Sequence, residues 1–405
     1  MFKKKVKSLA LVLVAGLTLA ACGAEEKKSE SAQGVTEDSV TVGNTAAISG
    51  AYAPVGAPYN AGIKAYFDKV NETGGINNRK IKFVHQDDEF DPAKGKAALQ
   101  SLVEDEKVFA LVGHFGTPVV AATLDDIQEY GIPAVYFATG IGQLYNEKAE
   151  EKEKVLFPVQ PIYITEGEMM VSRGVGNFDA KKIGIIYTND DAGKDMLTGA
   201  EKKAKELGVE LVSEQVSAGA TDVSAAVTSI LKAKPDFLIG ASIQATFPTI
   251  AKALAAQGNE ADVITSYVNV DASVADQVWK DIEGKFEVLG NGWVDIASPE
   301  SVKNLTEMNE WLEADYQNNV YAMTGWIAAS FFVEGLDRVG DKALTWENYI
   351  EAMESAPINN PFGGEIDYAN GQRIGTQEMN LSKIISASEW TEVEPLTGIA
   401  EILGK

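Results

Sequence analysis

The chain has 405 residues, 45% of them hydrophobic, with 59 acidic against 35 basic side chains and a formal net charge of −24. That excess of negative charge repels nucleic acid, and no basic cluster offsets it, so a nucleic-acid partner is excluded. One cysteine and two histidines exclude a structural zinc site, and the length fits two domains better than one.

The first elements are not part of a folded body. Lys3, Lys4, Lys5 and Lys7 precede a run from Ser8 to Ala21 made almost wholly of Leu, Val, Ala and Gly. The run is shorter than the ~20 apolar residues that span a bilayer and it ends in small residues, which reads as a secretory signal peptide over 1–21. The only cysteine, Cys22, follows it. Leu19-Ala20-Ala21-Cys22 resembles a bacterial lipobox, in which a lipid is joined to the thiol and the chain is cut just before it. Two acyl chains on one cysteine anchor stably where one is marginal. Residues 22–37 are then a lipidated cysteine and a polar tether too poor in apolar residues to build a core. The expected location is extracytoplasmic, lipid-anchored to the cell membrane.

Strand and helix signals then alternate. Val40–Ile48 reads as a strand. Ile63, Tyr66, Phe67 and Val70 recur at helical spacing before Gly74-Gly75. Lys80–Gln86 is a strand, and Asp91-Pro92 opens a helix with a capping carboxylate and a proline at the first position. Val108–His114, Pro118–Glu129 and Ile132–Ala138 continue as strand, helix and strand. The pattern restarts after Thr165: strands at Lys181–Thr188, Val209–Val216, Pro235–Ser242 and Asp262–Tyr267 are separated by helices, the first over Ala192–Leu207. Beyond Trp293 the signals are helical over Pro299–Asn318, Met323–Val339 and Trp346–Met353, and Phe362–Gly375 is extended and hairpin-like. This βαβ alternation implies an α/β protein with two doubly wound parallel-sheet lobes.

The motifs of hydrolases, P-loop enzymes and zinc proteases are missing: there is no G-x-S-x-G, no G-K-[ST] loop and no H-E-x-x-H. The acidic pairs Asp87-Asp88 and Asp190-Asp191 fit solvated strand ends. No catalytic residue, cofactor or metal is expected, and the chain reads as a binding protein rather than an enzyme. In open α/β sheets ligands bind beyond the carboxyl ends of strands. There, Gly113–Val120 combines two glycines with Thr117 as N-cap and Pro118 as the first helical residue, and Phe137–Leu144 supplies Thr139. Free N–H groups and hydroxyls on neighbouring loops suit a carboxylate; ordinary helix capping accounts for either loop taken alone.

The segments NTAAISGAYAPVG, NETGGINNRKIKFVHQDD, LVGHFGTP, IIYTNDDAGKD and PFGGEIDYANGQR, in that order, resemble the type I periplasmic binding proteins, and most nearly the leucine/isoleucine/valine-binding branch serving ABC importers. The resemblance runs from about Ser39 to Trp390. It implies two lobes joined by a three-crossover hinge, 38–160 with 291–373 and 161–290 with 374–405. It also implies a monomer that closes on a small ligand, an amino acid or related carboxylate, and delivers it to an ABC permease in the membrane. A ligand-sensing protein that signals through a membrane receptor needs the same clamp, and a permease gene next door would favour transport. By the same resemblance, Phe115-Gly116-Thr117 and Phe137-Ala138-Thr139 hold the ligand carboxylate. The chain departs from the family elsewhere. Val55 stands where an aromatic residue usually precedes Gly56, with Tyr52 close by, and Ala192 stands where a second-lobe aromatic is usual. The acid that pairs the ligand amine falls at Val268 or Asn269, and at Asp271 only after a shift. Asp271, with Asp190 and Asp191 as alternatives, would face an ammonium; Asn269, Gln244 and Tyr267 would serve a ligand without one.

Overall fold

The computed structural model describes residues 31–243 and 246–404. The expected signal peptide, Cys22 and Gln244 lie outside the described residues.

Five strands, β1 (Ser39–Ala46), β2 (Lys80–Asp87), β3 (Ala110–Phe115), β4 (Ala134–Ala138) and β5 (Leu156–Phe157), form a parallel sheet in the order β2-β1-β3-β4-β5. Alternate residues feed opposite faces. Leu111 and Ala134 join Leu99, Leu102 and Ile127 from α2 (Pro92–Glu104) and α3 (Thr117–Tyr130). Ala110, Val112 and Val135 instead join α1 (Ala53–Glu72) and a later helix over Val320–Val339. Asp91 caps α2 as its sequence foretells, accepting from the N–H groups of Ala93 at 2.8 Å and Lys94 at 3.0 Å.

The second sheet repeats this winding. β6 (Lys182–Thr188), β7 (Glu210–Val216), β8 (Phe237–Ala241), β9 (Val263–Thr265) and β10 (Val288–Gly292) run parallel in the order β7-β6-β8-β9-β10. Helices α4 (Tyr163–Phe178) and α5 (Asp191–Leu207) pack on one face; α6 (Ser224–Lys232), α7 (Thr246–Ala256) and α8 (Ala272–Ile282) cover the other. The C-terminal part brings α9 (Pro299–Trp311), α10 (Val320–Val339) and α11 (Trp346–Met353) back to the first sheet, where α9 and α10 pack against α1. A short hairpin follows, β11 (Ile358–Asn359) with β12 (Glu365–Ile366), turning through Gly363-Gly364 at positive φ. The chain then returns to the second sheet, adding β13 (Met379–Ser386) and β14 (Glu389–Thr397) antiparallel beside β10, and ends in α12 (Ile399–Leu403) against α4.

The chain therefore crosses between the two sheets three times, after β5, after β10 and before β13. Arg373 joins the first and third crossings. Its guanidinium lies 4.4 Å from the Phe157 ring centre and donates to Lys154 O at 2.7 Å and to Glu354 Oε1 at 2.6 Å.

Four sequence readings need correction. The tether expected over 22–37 is docked from Ala32 on: Ala32 N donates to Leu344 O at 3.0 Å, Gln33 Nε2 to Val108 O at 3.0 Å, and Val35 packs against the core. The helix expected over 299–318 stops at Trp311, because Leu312 is extended; Gln317 Nε2 then donates to the freed carbonyls of Asn309 and Leu312. The N-cap of α3 is Gly116, at φ 91°, and Thr117 is the first helical residue. The hairpin-like piece begins at Ile358 rather than Phe362.

Candidate functional site

The order β2-β1-β3-β4-β5 places a topological switch point between β1 and β3, where loops from neighbouring strands diverge. A cavity of about 100 Å³ lies there, roofed by the second sheet. A dry cavity of about 150 Å³ holds a benzene, so this space is of small-molecule size.

The first-sheet side is built from loop ends. Tyr52 precedes α1 and stacks on Phe90, with ring centres 3.7 Å apart and planes 13° apart. Phe90 follows β2 in a strained turn: Glu89 and Phe90 both have positive φ, 52° and 64°. Asp88 Oδ1 accepts the Phe90 N–H at 2.8 Å and holds that turn. Phe115, Gly116 and Thr117 come from the β3–α3 junction and Ala138 from the end of β4. Gly116 is required, since a Cβ there would fall 2.6 Å from the Phe90 ring. Tyr59 of α1 lines the cavity, and its buried hydroxyl has no partner among the described residues. Val320, Tyr321 and Thr324 close this side from the start of α10.

The polar end is at the N-terminus of α3. Thr117 Oγ1 and Thr139 Oγ1 are 2.8 Å apart, and Thr139 Oγ1 accepts the Ile141 N–H at 3.2 Å. The Tyr163 hydroxyl interacts with both threonines, and burial pushes it up to about 12, so it stays a donor. Below them His114, bonded to Thr123 Oγ1 at 2.8 Å, is pushed down to about 4 by burial and stays neutral.

The crossings and the second sheet supply the rest. Trp293 follows β10, and Tyr267 follows β9 and stacks on Tyr163, with ring centres 6.0 Å apart. Gly113 (φ 78°) and Tyr136 (φ 64°) interrupt the β3–β4 ladder side by side. Tyr136 OH then donates to Gln160 Oε1 at 3.0 Å, Gln160 Nε2 to Tyr267 OH at 2.7 Å, and Tyr267 OH to Pro161 O at 3.0 Å. This buried chain joins the first sheet, a crossing and the second-sheet loop.

Of the residues expected from sequence, Tyr52, Phe115, Gly116, Thr117 and Ala138 line the cavity, and Thr139 sits behind Thr117. Gln244 is outside the described residues, and the other four lie elsewhere. Phe137 points to the opposite face of β4, into the core under α2 and α3. Asp191 is exposed in the first turn of α5. Asn269 is buried and donates to Ser242 O at 2.7 Å and Thr265 Oγ1 at 2.8 Å. Asp271 caps α8, accepting the Ser273 N–H at 2.8 Å. Sequence reasoning missed Tyr59, Phe90, Gln160, Trp293 and the start of α10. It also missed Glu166, whose signal was a lone acid on the apolar face of α4 between Tyr163 and Met170.

The family model described as "Periplasmic binding protein" matches residues 39–389. The chain belongs to the periplasmic binding protein family. By family it is a binding protein rather than an enzyme, and it is similar to leucine/isoleucine/valine-binding proteins. This binding protein is 27% identical over 231 residues to an amino acid binding protein of Pseudomonas aeruginosa, covering 57% of each chain, so it spans little more than half of that relative. It is 25% identical over 252 residues to a Leu/Ile/Val-binding protein homolog of Brucella abortus, covering 62% of this chain and 67% of the other. Among solved structures it is similar in fold to a fatty acid ABC transporter substrate-binding protein from Thermomonospora curvata (TM-score 0.77, 20% identity, 93% and 96% of the two chains). It is also similar to a branched chain amino acid ABC transporter from Thermus thermophilus with bound valine (TM-score 0.77, 18% identity, 91% and 98% of the two chains).

Proposed function

We propose that this protein is the extracytoplasmic, lipid-anchored solute-binding component of an ABC importer. It captures an amino acid or related small carboxylate between its lobes and delivers it to a membrane permease. The observation that carries the reading is the cavity at the switch point, lined from both sheets and from the crossings, with a hydroxyl cluster at the N-terminus of α3. A ligand touching both lobes binds the closed state better than the open one, and that difference drives closure. The Leu19–Cys22 box and the polar segment after it support a lipid anchor, and among the described residues no helix is long and apolar enough to cross a membrane.

Mass spectrometry of small molecules released from the purified protein identifies the solute. Cells lacking the protein are expected to lose high-affinity uptake of that solute and to regain it with the gene restored. Unchanged uptake in the deletion strain would refute the transport role.

A further inference from the structure

Resting on the solute-binding reading, we propose that the cavity selects an amine-free carboxylic acid with an aromatic or branched apolar body, and discriminates against the corresponding α-amino acid.

The walls are unlike each other. At the α3 end the hydroxyls of Thr117, Thr139 and Tyr163 gather, and the unpartnered Tyr59 hydroxyl is close to Gly113 of β3. These groups suit an acceptor on the ligand. The facing second-sheet wall is Ile243, Val268 and Val270 beside Tyr267. In the segment after β9 the residues alternate. Val268 and Val270 line the cavity, while Asn269 is spent on Ser242 and Thr265, and Asp271 is spent on capping α8. The polar residues of this stretch are thus taken up by the second lobe, and its aliphatic residues form the wall.

Among the described residues no lining residue is charged. The acids nearby stand outside the lining and hold the second lobe's own loops. Glu166 accepts from Tyr267 N and Ser266 Oγ, and Asp190 accepts from Gly193 N and Thr188 Oγ1. Asp88 keeps one oxygen unpartnered, but it is fully buried at the end of β2, outside the lining. An α-ammonium placed against Val268 and Val270 would lose its water and gain no carboxylate, a strongly unfavourable transfer. The same wall, with Tyr52, Phe90, Phe115 and Trp293 around it, favours hydrocarbon. Aromatic rings also attract quaternary ammonium groups, so glycine betaine enters the test as the competing cation.

The test is calorimetry on the full-length protein in detergent. The probes are L-leucine with 4-methylpentanoate, L-phenylalanine with 3-phenylpropanoate, and glycine betaine. At least one des-amino acid is expected to bind about tenfold or more tighter than its amino acid, the equivalent of one lost charge-assisted contact. In Val268→Asp, which installs the missing carboxylate, the preference should move toward the amino acid. An amino acid binding as tightly as its des-amino partner overturns the proposal. So does binding of betaine alone, or of no probe. If a different solute is recovered from the purified protein by mass spectrometry, the solute-binding reading survives that loss.

Discussion

Glu166 Oε1 accepts the backbone N–H of Tyr267 at 2.7 Å, a bond between the first turn of α4 and the loop that brings Tyr267 to the cavity. Oε2 of the same carboxyl accepts from Ser266 Oγ at 2.8 Å. Glu166 is fully buried, and among the described residues no Lys, Arg or His pairs with it. It does not itself line the cavity, so it is a positioning residue. It fixes Tyr267, whose hydroxyl in turn holds Gln160 and Pro161 at the first crossing.

Burial pushes the Glu166 carboxyl up to about 8, against the opposing pull of its donors. In the unfolded chain the same group titrates in the ordinary range, near ~4.3. Between those values the folded state holds a proton that the unfolded state has released. This contribution to stability is complete below the unfolded value and is lost as pH rises toward about 8. Glu166→Gln stays uncharged throughout. The melting temperature of the variant is expected to fall less between pH 5 and pH 9 than that of the parent, by an amount on the order of 1–3 kcal/mol in stability. Identical pH profiles for the two proteins would show that Glu166 does not titrate in this window.

Thr117 and Thr139 share one hydrogen bond, so their substitutions should not be additive. Thr117→Val and Thr139→Val each remove a hydroxyl from the proposed carboxylate end, where a bond to a charged group is worth ~1.5–3 kcal/mol, roughly ten- to a hundredfold in affinity. Each single change also breaks the bond the two hydroxyls share, leaving the other with Tyr163 and, for Thr139, the Ile141 N–H. The double variant is therefore expected to lose less than the sum of the singles. Calorimetry on the solute found bound gives the cycle; unchanged affinity in all three variants would remove this cluster from the site.

Much of this arrangement was legible in the sequence because it is local. The strand–helix alternation and the Asp91 cap follow from spacing and turn chemistry within a few residues, while the cap of the Gly116-Thr117-Pro118 junction was read one residue late. The second wall was not legible. Whether Val268 or Asn269 faces the ligand depends on a single short turn after β9, and a one-residue shift exchanges the two. Asp271 looked like a ligand acid because a capping carboxylate and a binding carboxylate have the same sequence signature. Phe90 and Tyr59 belong to different loops and helices, and only the sheet order brings them to one cavity. The β13–β14 hairpin gave no usable signal: its outer strand, edge-exposed and acidic, lacks the apolar alternation of a half-buried strand.

Gly116→Ala should act through Phe90. The added Cβ would sit 2.6 Å from the Phe90 ring, on a residue at φ 91°. Backbone strain alone costs ~1–3 kcal/mol, and the ring must also leave its stack on Tyr52. Loss of both melting temperature and solute affinity is expected. Phe90→Ala in the same background should restore part of the stability, but not the affinity. A Gly116→Ala protein with parental affinity would show that the Tyr52–Phe90 stack is not a binding surface.

Cys22→Ala should abolish lipid attachment. The product is expected either as an uncleaved precursor or as a released protein, read by detergent partitioning and intact mass. A Cys22→Ala protein that is still cleaved before residue 22 and still acylated would overturn the lipobox reading.

Asp271 separates a capping role from a ligand role. Its carboxylate accepts from Ser273 N at the first turn of α8, and the backbone oxygen of the same residue accepts from Trp390 Nε1 at 2.9 Å. Replacing an N-cap acid by alanine costs ~0.5–2 kcal/mol of stability, whereas asparagine caps nearly as well. Asp271→Ala should therefore lower the melting temperature, and Asp271→Asn should leave it almost unchanged. Neither should alter affinity for an amine-free solute. Had the carboxylate faced a ligand ammonium, Asp271→Asn would cost ~2–5 kcal/mol of binding by leaving a buried cation unpaired. Denaturation and calorimetry on the two variants give opposite patterns for the two roles: stability lost only in the alanine variant marks a cap, and affinity lost in both marks a ligand.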